Sequence, residues 1–176
     1  MSVPARNASA ARIVADARTF YVTSSTFGKK FFLQSERAAQ LFLQVLYEYR
    51  RQGKFRLHEF VVMPSHFHLL LTVDAEISIE QAVQFIKGGF AFRAGRELGF
   101  RSAIWQRGFS EVRVSNSQMA EQISEYIRNN PVVAGIVAEA SEYPRSSACS
   151  ADELDPLPKW LCVSGHSFRY ADQQRK

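Results

Sequence analysis

The run Phe60-Val61-Val62-Met63-Pro64-Ser65-His66-Phe67-His68-Leu69-Leu70-Leu71-Thr72 decides how this chain is read. Apolar and β-branched residues on both sides of Pro64-Ser65 predict two strands, roughly Arg56–Met63 and His66–Val73. Proline cannot donate to a strand ladder, so Pro64 marks a strand end, the connecting turn or an edge. Alternate side chains of a strand share a face, so His66 and His68 point together while Phe67 points oppositely. Two imidazoles side by side on a rigid apolar strand make half of a metal site. Alone, such a pair is more often structural than metal-binding, so a second segment must supply the rest.

Working outward, Thr19 to Phe27 reads as a first strand. Ser35 caps a helix in which Ala38, Leu41, Phe42, Val45, Leu46 and Tyr49 recur at helical spacing, ending at Gly53. Ser78 with Gln81 forms a capping box for a second helix carrying Ile79, Val83, Ile86 and Phe90. A short strand follows over Phe109–Val114. Ser115 with Gln118 then reads as another capping box, opening a third helix with Ile123, Tyr126 and Ile127 before Pro131. The order β-α-β-β-α-β-α predicts an α+β, ferredoxin-like fold. Its mainly antiparallel sheet would carry helices on one face and leave the other face, or the central strands, for a site. Residues 1–17 read as a flexible arm, 18–140 as one domain and 141–176 as a tail packed on it.

The 176 residues are 46% hydrophobic, enough for one core. Lys and Arg number 22 against 17 Asp and Glu, and the resulting charge of +5 favours a polyanionic partner, nucleic acid above all. Two cysteines are too few for a disulfide framework, which points to a reducing cytoplasm. The first residues lack the apolar core of a signal peptide, and no stretch approaches a membrane span.

The third helix carries Ser124-Glu-Tyr126-Ile-Arg-Asn-Asn130-Pro131-Val-Val-Ala-Gly135. Tyr126 and Asn130 are four apart and so share a helix face. Pro131 biases Asn130 away from helical geometry, which predicts an end or a kink there and an Asn130 carbonyl free to leave the helix surface. If this face lies over the histidine strand, two imidazoles, an amide and a phenol converge. The His66-Phe-His68 and Tyr126 to Gly135 runs resemble the paired signatures of the single-tyrosine HUH transposases. Among these, the closer resemblance is to the REP-associated tyrosine transposases. Ile104-Trp105-Gln106-Arg107-Gly108-Phe109 is similar to the same family's Trp-Gln-Arg segment, and coverage runs from about Thr19 to Tyr143. Ser65 and Val133 depart from the pattern, standing where relatives often have Asn, Asp or Glu, and a basic residue, respectively.

The resemblance implies metal-dependent cleavage of single-stranded DNA beside a hairpin, by a monomer rather than a homodimer. It makes His66 and His68 ligands of Mg²⁺ or Mn²⁺, Asn130 the amide ligand and Tyr126 the nucleophile that forms a 5′-phosphotyrosine. Other readings stay open: an autonomous insertion-sequence transposase, a catalytically inactive hairpin-binding regulator, or a phosphoesterase using water. Lys29, Lys30, Lys87, Arg93, Arg96, Arg107 and Arg113 are candidate DNA contacts, though a solvated face explains the three on the second helix about as well. Trp105 and Phe109 are read as either base-stacking or core. Gly88-Gly89-Phe90-Ala91-Phe92 mimics an RNA-recognition strand, but the helical period through it favours a helix softened by its glycines. Cys149, Cys162 and His166 are too scattered for a zinc site.

Overall fold

The computed structural model describes residues 17–162, so all but the last residue of the expected arm, and His166, lie outside the described residues. The elements are β1 (Arg18–Ser25), α1 (Glu36–Arg51), β2 (Arg56–Met63), β3 (His66–Val73), α2 (Ile79–Glu97), β4 (Ser110–Val114) and α3 (Ser117–Val133). Short 3₁₀ turns cover Phe27–Lys29, Ala140–Glu142 and Lys159–Leu161. The strands form one sheet in the order β2-β3-β1-β4, antiparallel at every pairing. This is the α+β arrangement that the element order predicts.

The pleat sorts residues into two cores. Phe20 and Val22 of β1, Phe60 and Val62 of β2, and Phe67, Leu69 and Leu71 of β3 meet α1 and α2 on one face. Phe42, Phe67 and Phe90 are fully buried there, and each contributes about 2–3 kcal/mol of apolar transfer. Val61, Met63, Leu70 and Val114 face the other way, against Ala120 and Ile127 of α3 and against Tyr143 and Leu161. The helices therefore do not all share one face. α3 lies on the second face, and this is what brings its tyrosine over the histidine strand.

Local signals account for most boundaries. Ser35 caps α1 through the Ala38 amide, and Ser78 and Gln81 form both bonds of the capping box on α2. The cap of α3 differs from expectation: Asn116, not Ser115, accepts from the Met119 amide at 2.8 Å. Nor does α3 end at Pro131. Helical structure continues to Val133, and the Asn130 carbonyl stays in the ladder, accepting from the Ala134 amide at 3.0 Å. Pro131 removes only its own donor, late in the helix where few bonds remain to lose. Gly135 at φ 69° then stops the helix, with Gly135 bonded to Val132 and Ile136 to Pro131 in the Schellman pattern.

Beyond α3 the chain crosses to β2 and pairs with its outer edge. The Val62 amide donates to the Arg145 carbonyl and the Ser147 amide to the Phe60 carbonyl, both at 2.9 Å. Further on, Leu57 and Asp155 exchange bonds through backbone and carboxylate. Arg50 grips Asp155 and Glu153 from α1, and Tyr143 donates from its buried hydroxyl to the Val62 carbonyl. An edge that would otherwise present unpaired backbone groups is thereby covered.

The Gly88-Gly89 pair is helical, as its flanks predict, and the two glycines differ in purpose. A Cβ on Gly89 would stand 2.7 Å from Tyr49 Cε2 and 3.1 Å from Val45 Cγ1, whereas one on Gly88 meets nothing within 4 Å. Tyr49 cannot easily yield, because its ring stacks on Phe85 at 5.3 Å. Gly88→Ala should therefore stabilise the fold by about 0.5–1 kcal/mol through helix propensity. Gly89→Ala should destabilise it by about 1–2 kcal/mol through overpacking. Urea unfolding of the two variants reads both signs, and equal shifts would remove the close α1–α2 approach as the reason for Gly89.

Candidate active site

The site grows from the register of β1 against β3. Thr23 pairs with His68 and Ser25 with His66, so polar residues of β1 stand beside both imidazoles on the α3 face. His68 is only 5% exposed. Its Nδ1 lies 2.8 Å from the Tyr21 hydroxyl and 2.9 Å from Thr23 Oγ1, while its Nε2 lies 3.4 Å from Asn130 Nδ2. These neighbours are satisfied together when Nδ1–H donates to a β1 hydroxyl and Nε2 keeps its lone pair toward Asn130. The His66 ring is 4.9 Å from His68, and the Ser65 hydroxyl lies 3.3 Å from its Nδ1.

From above, α3 contributes Tyr126, half exposed, with its ring edge-on to His68 at 5.5 Å and to Tyr21 at 6.2 Å. Tyr21 itself stacks on His68, with centroids 5.7 Å apart and planes 11° from parallel. The helix is fixed in place by Arg128, which donates from Nε and Nη2 to Glu59 Oε1 at 3.0 and 2.6 Å. Glu59 is 4% exposed on β2, and its other oxygen accepts a hydrogen bond from Ser147. One buried carboxylate thus ties together the sheet, the tyrosine helix and the tail.

The environment holds both histidines neutral. Burial, then the neighbouring His66, pushes His68 down to about 4. Burial, then the Lys29 charge, lowers His66 as well. Burial chiefly raises the Tyr21 phenol, with Tyr126 adding to the effect and the Thr23 hydrogen bond opposing it. A neutral imidazole is the form that ligates metal. Among the described residues no three of His, Cys, Asp and Glu gather in a metal-holding group. Any ion here would rest on two imidazoles and an amide, whose oxygen takes the place of Nδ2 after a half-turn. The imidazoles favour a borderline ion and the amide oxygen a harder one, so a divalent cation held there would need phosphate or water oxygens to complete its coordination.

The structure thus brings His66, His68, Tyr126 and Asn130 together, but not the whole basic set. Lys29 stands near enough to His66 to act on its charge, and Lys30 is exposed on the same turn. Arg107 is exposed just beyond Gln106, whose amide donates to the Ser25 carbonyl at the end of β1. Lys87, Arg93 and Arg96 belong to α2, across the sheet from the histidines, and Arg113 pairs with Phe20 and so faces that same side. Lys87 Nζ donates to the Gln106 and Gly108 carbonyls, Arg93 pairs with Glu97 and Glu48, and Arg96 lies over the Phe92 ring.

Trp105 resolves the choice between stacking and core. Its ring packs against Phe42, Phe67 and Phe90, its Nε1–H donates to the Lys87 carbonyl at 2.9 Å, and Phe109 packs against the same core. Cys149 and Cys162 are exposed free thiols. Sequence reasoning passed over Tyr21, Thr23 and Glu59. The first two had left a trace, since Thr19, Tyr21, Thr23 and Ser25 alternate along β1 as a polar row.

A four-stranded antiparallel sheet with a His-x-His pair beneath a tyrosine-bearing helix defines a single-tyrosine HUH domain. Residues 21–130 match the family described as "Transposase IS200 like", and the chain belongs to this family of DNA-cleaving tyrosine transposases. It is 24% identical over 141 residues to the REP-associated tyrosine transposase of Escherichia coli (strain K12), spanning 76% of this chain and 82% of that protein. Its fold is similar to a solved REP-associated tyrosine transposase bound to a REP hairpin. That match has a TM-score of 0.66 and 23% identity, covering 95% of this chain and 96% of the other. Among the described residues no helix is long and apolar enough to cross a membrane.

His58 adds a second buried imidazole, lowered to about 4 chiefly by burial and bonded to the Asp155 carbonyl and Thr72. An unfolded histidine takes up its proton near pH 6.5, whereas these folded ones resist, so acid favours the unfolded chain. Without added metal, stability should be full above about pH 6.5 and decline as pH falls toward about 4, with His58 alone accounting for about 3 kcal/mol. Urea midpoints across that window measure the decline, and a flat profile would contradict neutral burial.

Proposed function

We propose that this transposase nicks and rejoins single-stranded DNA beside a hairpin, with Tyr126 as nucleophile and His66, His68 and Asn130 as ligands of Mg²⁺ or Mn²⁺. One observation carries the reading: a half-exposed phenol stands 5.5 Å from a buried, neutral imidazole whose Nε2 faces an amide. A divalent ion bound there supplies Lewis-acid polarisation of a phosphate oxygen. Tyr126 releases its phenolic proton to solvent and its Oη bonds to phosphorus. The bond from phosphorus to the 3′-oxygen breaks, and that oxygen leaves as a hydroxyl after taking up a proton. The product is a 5′-phosphotyrosine, which a 3′-hydroxyl reverses by the opposite path. Bond energy is conserved, so the step is a transesterification and needs no nucleotide cofactor.

Each neighbour has a part in this scheme. Tyr21 and Thr23 fix the tautomer and rotation of His68 through Nδ1, the usual task of a ligand's outer partner. Glu59, through Arg128, positions the helix that carries Tyr126. Lys29, close enough to His66 to act on its charge, and its neighbour Lys30 are suited to DNA phosphates, with Arg107 as a further exposed cation. The neutral residues that would hold the ion would leave both its charges uncompensated, so the scissile phosphate could serve as a further ligand and metal and DNA would bind interdependently. The hairpin as partner is taken from the REP-associated relatives. Coverage of the β2 edge by residues 145–147 supports a monomer, working on DNA in the cytoplasm.

The test uses oligonucleotides with a hairpin and unpaired flanks, incubated with Mn²⁺ or Mg²⁺. A denaturant-resistant protein–DNA adduct should form and map to Tyr126 by mass spectrometry. Tyr126→Phe should lose the adduct and lower cleavage at least about a thousandfold while leaving the fold intact. Cleavage without an adduct would replace this reading with a water-using phosphoesterase. Tyr21→Phe should retain cleavage but raise the Mn²⁺ concentration needed for half-maximal rate by about ten- to a hundredfold. An unchanged metal requirement in that variant would remove Tyr21 from the support of His68.

A further inference from the structure

Within the segment Phe27-Gly28-Lys29-Lys30-Phe31 between β1 and α1, the two phenylalanines have no part in the cleavage scheme. Phe27 is 51% and Phe31 63% exposed, whereas most other phenylalanines among the described residues are buried or packed against the core. Two large apolar rings left in water within five residues call for a partner. The two lysines between the rings give that partner a negative charge.

The turn is joined to the histidine site by hydrogen bonds. The Thr26 amide and hydroxyl both donate to the Ser65 carbonyl, at 2.8 and 2.9 Å, next to His66. Phe27 N–H donates to Ile104, Leu33 N–H to Pro64, and the Thr26 hydroxyl also lies 2.6 Å from the Lys30 carbonyl. Gly28 and Lys29 take φ of 60° and 52°, and Lys29 is the non-glycine residue held in this left-handed region among the described residues. A lysine kept there by so many surrounding bonds is a backbone outlier of the kind found at ligand-holding loops.

We propose that Phe27 and Phe31 form a stacking platform for the unpaired DNA bases adjoining the scissile phosphate, with Lys29 and Lys30 on the neighbouring phosphates. The proposal rests on the single-strand cleavage reading above. Aromatic rings accept any base on its π-face, so the platform positions the strand without reading its sequence. It replaces the role that sequence alone offered to Trp105, whose ring is committed to the core.

The test is binding of the full chain to an oligonucleotide with a hairpin and an unpaired flank carrying 2-aminopurine, whose fluorescence falls when the base stacks. Wild type should quench the probe. The double variant Phe27→Ala/Phe31→Ala should bind at least about tenfold more weakly with quenching lost, at an unchanged thermal midpoint. Phe27→Trp/Phe31→Trp should retain both properties. Phe92→Ala, an exposed ring across the sheet, should alter neither. Wild-type affinity and quenching in the double alanine variant would overturn the platform while leaving the cleavage reading intact. Full activity of Phe27→Leu/Phe31→Leu would also overturn it, by showing apolar contact without stacking. Failure of wild type to bind any unpaired flank would instead overturn the cleavage reading, and the platform with it.

Discussion

The pairing of β3 with β1, Thr23 opposite His68 and Ser25 opposite His66, is the constraint on which the site depends. Side chains alternate between faces, so a slip of one residue would drive both histidines into the α1–α2 core and turn Phe67 toward α3. That slip is strongly opposed. Phe67, Leu69 and Leu71 would lose a core in which they are fully buried, each at a cost of roughly 1.5–3 kcal/mol. The apolar packing of one face thus positions the polar chemistry of the other. The hydrogen bonds between His68 and the Tyr21 and Thr23 hydroxyls then refine an orientation already set to within a side-chain rotation.

The tyrosine helix is held differently. Its contact with the sheet is a modest apolar seam through Ala120, Ile127 and Pro131, supplemented by the Glu59–Arg128 pair. A buried carboxylate is costly to desolvate and worth keeping only when well bonded, which Arg128 and Ser147 together provide. Ser147 belongs to the segment that covers the edge of β2, so the tail completes the anchor of a helix it does not continue. This gives residues 145–147 a structural reason to follow α3 closely: after the Gly135 stop, the chain returns to the strand where Arg128 already points.

Much of this was legible in the sequence because it is local. The two strands around Pro64-Ser65, the Ser35 and Ser78 caps and the helical reading of Gly88-Gly89 all rest on spacing and side-chain chemistry within a turn or two. Misreadings came where a longer-range contact decides. Pro131 looks like a stop, yet a proline in a last turn sacrifices little, and here its ring is buried. The same face-counting that placed His66 beside His68 could not show that α3 crosses to the opposite side of the sheet. Tyr21 and Thr23 formed a visible polar row, but only strand pairing reveals what that row stands beside.

Charge shows the limit most sharply. A net charge of +5 says that basic residues are in excess and nothing about which of them are free. Arg93 is taken up by Glu97 and Glu48, Arg50 by Glu153 and Asp155, and Lys87 by two backbone carbonyls. What remains near the histidines among the described residues is a short turn bearing Lys29 and Lys30. A few cations beside two neutral imidazoles and an amide suit the approach of a phosphate. Were an ion held by His66, His68 and Asn130 as proposed, such a phosphate could complete its coordination, and among the described residues no carboxylate gathers with the two imidazoles to compete for it. A site that held the ion by its own negative charge would bind it whether or not DNA were present. Leaving anionic ligation to the strand would instead tie retention of the ion to the substrate.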